Sequence, residues 1–461
     1  MKPATNSATN LATQIERRAS KMWAWTCTDL AAAWGFRVAL AVTAPVMFIV
    51  GRHQWFIRDD WAFIVTRTQI RHDFGWHEWL LLPTAGHWMT APLLLFGALD
   101  NVFGIDSYWP FLALNMLIHV CIVLAVRVLC RRAGVHPWTS TLVGAGLLVF
   151  GAGWENIVFA VQITYGLSLL AFLLQFILVD HDGPVDRRDV AGSVIAVIGA
   201  MSSGFGGIVL GGIAIFLLLR RRWVALAVAT VPSALAQAWW WAAWGGRSPE
   251  ESTGGSIAQV PAYAVRGVVA TFESLAGVGA LGGIAAAAAL GVALWRGPGW
   301  RVQSQLLTLW ATAAAMYIGL GTQRVGLGIE NAATSRYQYM GAMLLAPMFA
   351  LAVDQLRRIS PEAGWVGRAV LAVAVVLSLG TLRTSSAAWA IRSTDERRTL
   401  ELIAGSGLAG EADPDHQPLP FSPDVRVSTI ATLVERDAIE PRPPSTPAEV
   451  ALVREALGLT P

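Results

Sequence analysis

Long apolar runs separated by short polar breaks fill most of the chain. A helix that crosses a bilayer needs about 20 mostly apolar residues. Runs that approach this length lie near 34–51, 108–130, 137–153, 161–180, 190–203, 206–220, 223–244, 272–295, 303–321, 338–354 and 366–383. The pair 190–203 and 206–220 is broken by SSGFGG, so it forms either two spans or one interrupted span. The pattern predicts an all-α, polytopic membrane protein with about eleven transmembrane helices.

Arginine and lysine side chains gather in alternate loops of this arrangement. Every loop on the N-terminal side holds at least two of them, at Arg17, Arg18 and Lys21, Arg131 and Arg132, Arg187 and Arg188, Arg220 to Arg222, Arg296 and Arg301, and Arg357 and Arg358. The connections 154–160 and 203–205 on the other side hold none. Because cytoplasmic loops carry the excess of Lys and Arg, we place the N-terminus in the cytoplasm and these connections outside the membrane.

The topology divides the chain into three parts. A cytoplasmic N-terminal tail occupies 1–33, a transmembrane domain occupies 34–383, and an extracytoplasmic C-terminal tail occupies 384–461. The first outer loop, 52–107, is half apolar, yet its segments WAFIVTR, WHEWLLLP and APLLLFGALDNVFG are each too short to span. Short helices that lie in the membrane interface are the expected structure of this loop.

The C-terminal tail contains one segment with a clear helical pattern, STPAEVALVREALG. Ser445 or Thr446 is suited to the N-cap, Pro447 to the first turn and Gly458 to the stop. We therefore predict a short helix here.

Composition supports the membrane assignment and excludes other classes. The chain is 54% hydrophobic and 14% charged, whereas soluble domains carry about 25% charged residues. A net charge of +3 without a basic, aromatic-rich cluster excludes nucleic acid as a partner. Cys27, Cys121 and Cys130 lack metal-ligand spacing, so we predict neither a zinc site nor a disulfide framework.

Polar side chains that are suited to catalysis or ligand binding lie on the predicted outer side. Asp59 and Asp60 follow the first span in WFIRDDWAF, directly after Arg58. Other candidates are His87 in AGHWMTAP, Glu155 and Gln162 in GWENIVFAVQ, Arg324, and Arg336 and Tyr337 in ENAATSRYQY. A carboxylate can act as a general base toward a sugar hydroxyl, and arginines can hold a phosphate. The alternative for the paired aspartates is a solvated helix N-terminus, where acidic residues are favoured.

Three stretches resemble the C-type (GT-C) glycosyltransferase superfamily, and more narrowly a bacterial group of it that depends on polyprenyl-phosphate sugars. They are DDWAF…GHWMTAPLLLFGALDNVFGIDSYWPF, FGAGWENIVFAVQ and SRYQYMGAMLLAP. The resemblance covers most of residues 30–385 as topology and only these stretches as motifs. It implies an inverting enzyme of the bacterial cytoplasmic membrane. Such an enzyme moves a sugar from a polyprenyl-phosphate donor to an envelope glycan or glycolipid acceptor on the outer face.

The resemblance also assigns roles to the polar candidates. The acid of the first outer loop acts as the general base in that superfamily, so this role falls on Asp59 or Asp60. We favour Asp60 because it abuts the predicted interfacial helix. Arg336 is the first candidate for the donor phosphate, with snorkelling to the interface as the alternative, and Arg324 and Arg58 come next.

The remaining candidates have weaker assignments. His87 would bind the leaving phosphate or orient the acceptor, or it is simply exposed. Glu155 and Gln162 would line the groove, and Tyr337 either contributes to it or belongs to an interfacial aromatic belt. No second acidic motif plainly completes a divalent-metal site, so we predict no metal and no other cofactor.

Three other functions remain open. A transporter or flippase of lipid-linked sugar would be expected to show repeated halves and midplane ionisable groups, and neither is apparent. A membrane acyltransferase would depend on His119, which lies within a predicted span, although a bond to a neighbouring helix explains that histidine as well. A catalytically inactive relative that scaffolds envelope assembly is the third.

Overall fold

The structure is a computed structural model that describes residues 28–247, 253–295 and 299–459. It is all-helical in these ranges, and the only pairing of extended backbone there is an isolated bridge between Thr84 and His87. The predicted all-α class is confirmed. The Arg17, Arg18, Lys21 and Arg296 positions used in the orientation argument lie outside the described residues.

The helices follow one another closely along the chain. In order they are α1 Asp29–Gly51, α2 Arg67–Phe74, α3 Trp76–Leu81, α4 Thr90–Phe103, α5 Trp109–Arg132, α6 Pro137–Leu148, α7 Glu155–Val158, α8 Ile163–Val179, α9 Arg187–Ala200, α10 Gly206–Leu219, α11 Trp223–Ala243, α12 Val260–Ala276, α13 Gly282–Leu294, α14 Trp300–Arg324, α15 Ser335–Ile359, α16 Pro361–Ser406, α17 Ile430–Glu435 and α18 Pro447–Ala456. A π-helical turn, Ala62–Thr66, precedes α2, and a 3-10 turn, Ala160–Gln162, precedes α8.

Several of these helices are suited to a bilayer. Six segments of the described chain are long and apolar enough to cross one, namely Asp29–Gly51, Trp109–Arg132, Ala160–Val179, Trp223–Arg247, Ser335–Ile359 and Pro361–Ser406. Thr90–Phe103, Gly206–Leu219 and Gly282–Leu294 are apolar but shorter. A 14-residue helix rises only about 21 Å, less than the roughly 30 Å hydrocarbon core. The protein is therefore a multi-pass membrane protein, and the number of eleven spans stays a prediction.

Helix boundaries differ from the apolar runs at three places. The run 190–203 and 206–220 forms two separate helices, α9 and α10. The run 272–295 is divided, because α12 ends at Ala276, where Gly277 with a φ of +70° forms the C-cap, and α13 begins at Gly282. The last helix does not end near 383 but continues to Ser406, where Gly407 at φ +73° stops it. The predicted tail therefore begins inside a continuous helix.

The predicted helix in the tail is present as α18. The Thr446 hydroxyl accepts a hydrogen bond from the Glu449 N–H at 3.2 Å, and Pro447 occupies the first turn. Gly458 follows the helix with a φ of +66°. The capping pattern in the sequence thus identified both ends of this helix.

Arginine-rich loops that are distant in sequence meet at one end of the bundle. Asp180, after α8, pairs with Arg132 from the end of α5 at 3.2 Å and with Arg301 from α14 at 3.3 Å. Arg222, between α10 and α11, pairs with Asp189 of α9 at 3.2 Å. We call this the arginine end. The loops that the sequence placed on one side are therefore neighbours in the fold.

The first loop, 52–107, and the tail pack together at the opposite end, which we call the loop end. The Thr66 hydroxyl donates to Asp424 at 2.7 Å, and Arg436 pairs with Asp100 at 2.5 Å. Arg397 of α16 lies 5.6 Å from the centre of the Trp55 ring. The tail thus covers part of the first loop.

The compartment that each end faces can be tested with cysteine labelling. Glu440 at the loop end and Arg187 at the arginine end are both exposed. With the native cysteines replaced, Glu440→Cys is expected to react with an impermeant maleimide added to spheroplasts, because positively charged loops remain cytoplasmic. Arg187→Cys is expected to react only after the membrane is permeabilised. The reverse result would place the loop end in the cytoplasm.

Candidate functional site

An aromatic cluster anchors the segment that carries the paired aspartates. Phe56 and Trp61 have no exposed surface, and Trp55 is 4% exposed. The Phe56 ring centre lies 4.9 Å from that of Tyr108 and 5.3 Å from that of Phe111, both in edge-to-face arrangements. Burial of each large side chain stabilises the fold by about 1.5–3 kcal/mol. The segment 55–61 therefore follows a fixed path at the loop end.

The Asp60 carboxyl group lies at the centre of this anchor and has no exposed surface. Its Oδ2 accepts from the Tyr108 hydroxyl at 3.0 Å and from the Ile57 N–H at 3.3 Å, and its Oδ1 accepts from the Val161 N–H at 3.0 Å. Tyr108 accepts in turn from the Ala160 N–H at 2.7 Å. Asp60 therefore joins the first loop to the start of α5 and to the turn before α8.

Burial raises the pKa of Asp60 from 3.8 to about 8, against the effect of its three hydrogen-bond donors. A raised pKa alone would suit a general base. A base must also contact the proton that it removes, and the Asp60 carboxyl group is enclosed and already accepts three hydrogen bonds. We therefore take the exposed Asp59 as the first candidate base, and the choice between the two aspartates stays a prediction.

The turn before Asp59 explains why adjacent aspartates have opposite environments. Arg58 adopts a left-handed conformation with a φ of +54°, which costs an L-residue about 1–2 kcal/mol. The Arg58 N–H donates to the Ser422 hydroxyl at 2.7 Å, and Ser422 donates to Glu396 at 2.6 Å. These bonds from the tail hold the turn, which leaves Asp59 exposed and Asp60 buried.

A cleft of about 850 Å³ opens beside α10 and α14 at the loop end. Its wall includes three residues singled out from the sequence, His87, Arg324 and Tyr337, together with Tyr165. The apolar part of the wall consists of Phe205, Ile208, Met316, Leu320 and Met340. We refer to this feature as the cleft. It combines an apolar channel with a few polar groups, as expected of a binding site for an amphiphile.

The two arginines near the cleft differ in how their charge is compensated. The Arg336 guanidinium lies 3.6 Å from the Glu155 carboxylate, which also accepts from the Arg336 N–H at 3.3 Å. Arg324 lines the cleft and forms no ion pair with a carboxylate in the described ranges. Arg324 is therefore the better candidate for an anionic ligand, and Glu155 serves to hold Arg336.

Asp59 belongs to the same electrostatic neighbourhood as the cleft. Its charge interacts with Tyr165 in the cleft wall and with Arg336. Tyr165 interacts likewise with Arg324 and with Tyr337. Asp59 thus lies within electrostatic range of the cleft wall, although neither Asp59 nor Arg336 lines the cleft.

Two further candidates support the site instead of lining it. Gln162 is buried, follows the residue whose N–H binds Asp60, and does not contribute to the cleft wall. His119 is 1% exposed, and its ring nitrogens contact the Tyr339 hydroxyl at 2.9 Å and the Leu148 carbonyl at 3.1 Å. Both nitrogens of His119 are therefore engaged within the protein, as the structural explanation of this histidine predicts, and the acyltransferase alternative stays untested.

Some residues of the site were not singled out from the sequence. Tyr165 carries no local motif that would reveal it. Gly204 lies in SSGFGG, the break between two apolar runs, and a Cβ there would clash with the His87 ring. Close approach of the two segments requires glycine at this position. No local sequence signal points to Ser422, because its partner, Arg58, lies 364 residues away.

One group of possible metal ligands, His181, Asp186 and Asp189, lies at the arginine end. The Arg222 guanidinium is within 3.2 Å of both His181 and Asp189, so a cation already occupies this cluster. The expectation that the proposed reaction needs no metal stays a prediction.

Sequence and structure comparisons give different amounts of information. No family model matches the chain, and no curated protein matches it in sequence. Among solved structures, it is similar to ArnT from Cupriavidus metallidurans, which was crystallised bound to undecaprenyl phosphate. The TM-score is 0.52 at 13% identity, over 89% of this chain and 90% of that one. At this identity the likeness shows the fold alone, so the all-helical chain has an ArnT-like fold.

The structural role of Asp60 predicts a specific loss of stability. In Asp60→Asn an amide NH₂ faces hydrogen-bond donors, so the free energy of unfolding is expected to fall by about 1–3 kcal/mol. The exposed Asp59→Asn is expected to change stability by less than about 0.5 kcal/mol. Thermal unfolding of the purified proteins compares the two, and equal melting temperatures would contradict the role.

The raised pKa of Asp60 also predicts a pH dependence with a defined sign. The folded state binds this proton more tightly than the unfolded state, so the stability it contributes is complete below about pH 4. That stability is lost as the pH rises through about 8. The melting temperature is expected to fall between pH 5 and pH 8, with a smaller fall in Asp60→Asn. Parallel pH profiles would contradict this assignment.

Proposed function

We propose that this protein is an inverting glycosyltransferase that moves a sugar from a polyprenyl-phosphate carrier to a hydroxyl group of an envelope glycan or glycolipid. The observation that carries the proposal is a cleft that has apolar walls and contains Arg324 and His87, with the exposed Asp59 within electrostatic range of Tyr165 in its wall. The bound undecaprenyl phosphate in the structurally similar ArnT supports a donor of this class.

The cleft fits the two chemical parts of such a donor. A polyprenyl chain cannot leave the bilayer, so its phosphate must be bound at the membrane surface. The side chains of Ile208, Met316 and Leu320 offer apolar contacts to the chain. Arg324 can donate two parallel hydrogen bonds to phosphate oxygens, and His87 lies in the same wall.

Asp59 would supply the general base. As the acceptor hydroxyl approaches, its proton passes to the Asp59 carboxylate and its oxygen attacks the anomeric carbon of the donor sugar. The bond between that carbon and the phosphate oxygen breaks, and polyprenyl phosphate leaves with the electron pair. Attack from the face opposite to the phosphate inverts the configuration. Arg324 stabilises the charge that develops on the phosphate.

The arginine end would face the cytoplasm and the loop end the outer face of the bacterial cytoplasmic membrane. This orientation follows from the excess of arginine in the loops that meet at one end. The flippase interpretation has less support, because the charged groups of the site cluster at the loop end and not at midplane.

The proposed base predicts a catalytic defect without a folding defect. Asp59→Asn is expected to lower the rate of sugar transfer by about 10²- to 10⁴-fold, measured with radiolabelled polyprenyl-phosphate sugars and the purified protein. Asp73→Asn is the matched control, because Asp73 is an exposed acid of the same loop outside the cleft. Full activity of Asp59→Asn would exclude it as the base.

The proposed phosphate contact predicts weaker donor binding. Loss of a hydrogen bond to a charged group costs about 1.5–3 kcal/mol, so Arg324→Gln is expected to raise the KM for the donor roughly 10- to 150-fold. Arg52→Gln, at an exposed arginine that does not line the cleft, is expected to behave as the wild type. A larger effect of Arg336→Gln than of Arg324→Gln would return the phosphate to Arg336.

A further inference from the structure

A second cavity, of about 1340 Å³, lies between the last helix and the tail. Its walls come from α16, from the loop 416–421 and from α18. We call it the tail cavity. It shares no lining residue with the cleft, so it forms a separate site at the loop end.

An incompletely bonded carboxyl group lines the tail cavity. Glu396 is 7% exposed, and its Oε1 atom has no hydrogen-bond partner in the structure. The other oxygen, Oε2, accepts from Ser422. Buried polar atoms are rarely left without partners, so Glu396 has unused hydrogen-bonding capacity at the wall of the tail cavity.

The lining of the tail cavity has the chemistry of a carbohydrate site. Asp395 and Glu455 add two carboxylates, and Thr399 and Gln417 add neutral polar groups. The Phe421 ring is half exposed, and the Arg392 guanidinium lies 4.5 Å from its centre. Carboxylates and amides accept from sugar hydroxyls, and an exposed ring offers an apolar surface to the C–H face of a sugar.

The charges of the lining restrict which sugars fit. Three carboxyl groups, those of Asp395, Glu396 and Glu455, face one guanidinium, that of Arg392. Carboxylates repel an anionic ligand. The cavity therefore favours neutral sugars or amino sugars over sugars that carry carboxylate, sulfate or phosphate groups.

Two hydrogen bonds connect the tail cavity to the turn that exposes Asp59. Glu396 accepts from Ser422 at 2.6 Å, and Ser422 accepts from the Arg58 N–H at 2.7 Å. A ligand in the tail cavity is thus held by groups that also hold the residue preceding Asp59.

We propose that the tail cavity binds a neutral or amino sugar of the acceptor and so holds the acceptor beside the Arg58–Asp59 turn. The assignment of the bound sugar to the acceptor rests on the proposed glycosyltransferase function, whereas the sugar site itself rests on the cavity alone.

Sugar binding can be measured without any transfer reaction. The full-length protein in nanodiscs is titrated with maltotriose, chitobiose, a chitosan disaccharide and a hyaluronan disaccharide, and binding is followed by saturation-transfer NMR. At least one of the first three is expected to bind, and the anionic hyaluronan disaccharide at least tenfold more weakly. Phe421→Ala and Asp395→Asn, at exposed positions that should not affect folding, are expected to weaken binding at least fivefold.

Matched controls are Phe74→Ala and Asp413→Asn, which alter an exposed ring and an exposed acid outside the cavity. Absence of binding by all four sugars, or equal binding by the cavity variants and the controls, would overturn the sugar site. If transfer activity is found, the cavity variants are expected to raise the KM for the acceptor and not for the donor. A donor-only effect would overturn the acceptor assignment, while loss of all transfer activity with sugar binding intact would count against the proposed function alone.

Discussion

A single buried carboxyl group organises the loop end of this protein. Asp60 accepts hydrogen bonds from its own loop, from Tyr108 at the start of α5 and from Val161 in the turn before α8. The Tyr108 hydroxyl also binds the Ala160 N–H, and the Phe56 ring packs on α5. Asp60 and the aromatic side chains around it therefore fix the segment that carries Asp59.

The site shows how a buried carboxyl group and an exposed one can be neighbours in sequence. Successive residues in a regular helix would not separate them this fully, whereas the left-handed Arg58 turns the chain between the aromatic anchor and α2. The unfavourable backbone conformation is offset by the hydrogen bond from Arg58 to Ser422 in the tail. The tail, which looks like an appendage in sequence, is thus part of the support of the candidate base.

Much of the architecture could be predicted from the sequence because it follows from length and charge. Apolar runs located the long helices, and the arginines identified loops that meet at one end. The division of 272–295 and the extension of α16 to Ser406 could not be predicted from hydropathy, because glycine conformation and helix propensity decide them.

The cleft wall contains three residues that were singled out from the sequence, His87, Arg324 and Tyr337, and the roles of all the candidates stay predictions. The sequence identified the acidic pair, His87 and both arginines as one group. It could not choose between Asp59 and Asp60, because burial decides that, nor discount Arg336, because its partner Glu155 lies 181 positions away. Tertiary contacts of this range leave no local signal.

The length of α16 has a mechanical consequence. An uninterrupted helix of 46 residues is about 69 Å long, more than twice the roughly 30 Å hydrocarbon core. Its first half is apolar enough to cross the bilayer, and its second half packs against the tail. One residue added to or removed from the middle of α16 would rotate the end of this helix and the tail by about 100°. The number of residues in α16 therefore sets the orientation of the tail relative to the cleft.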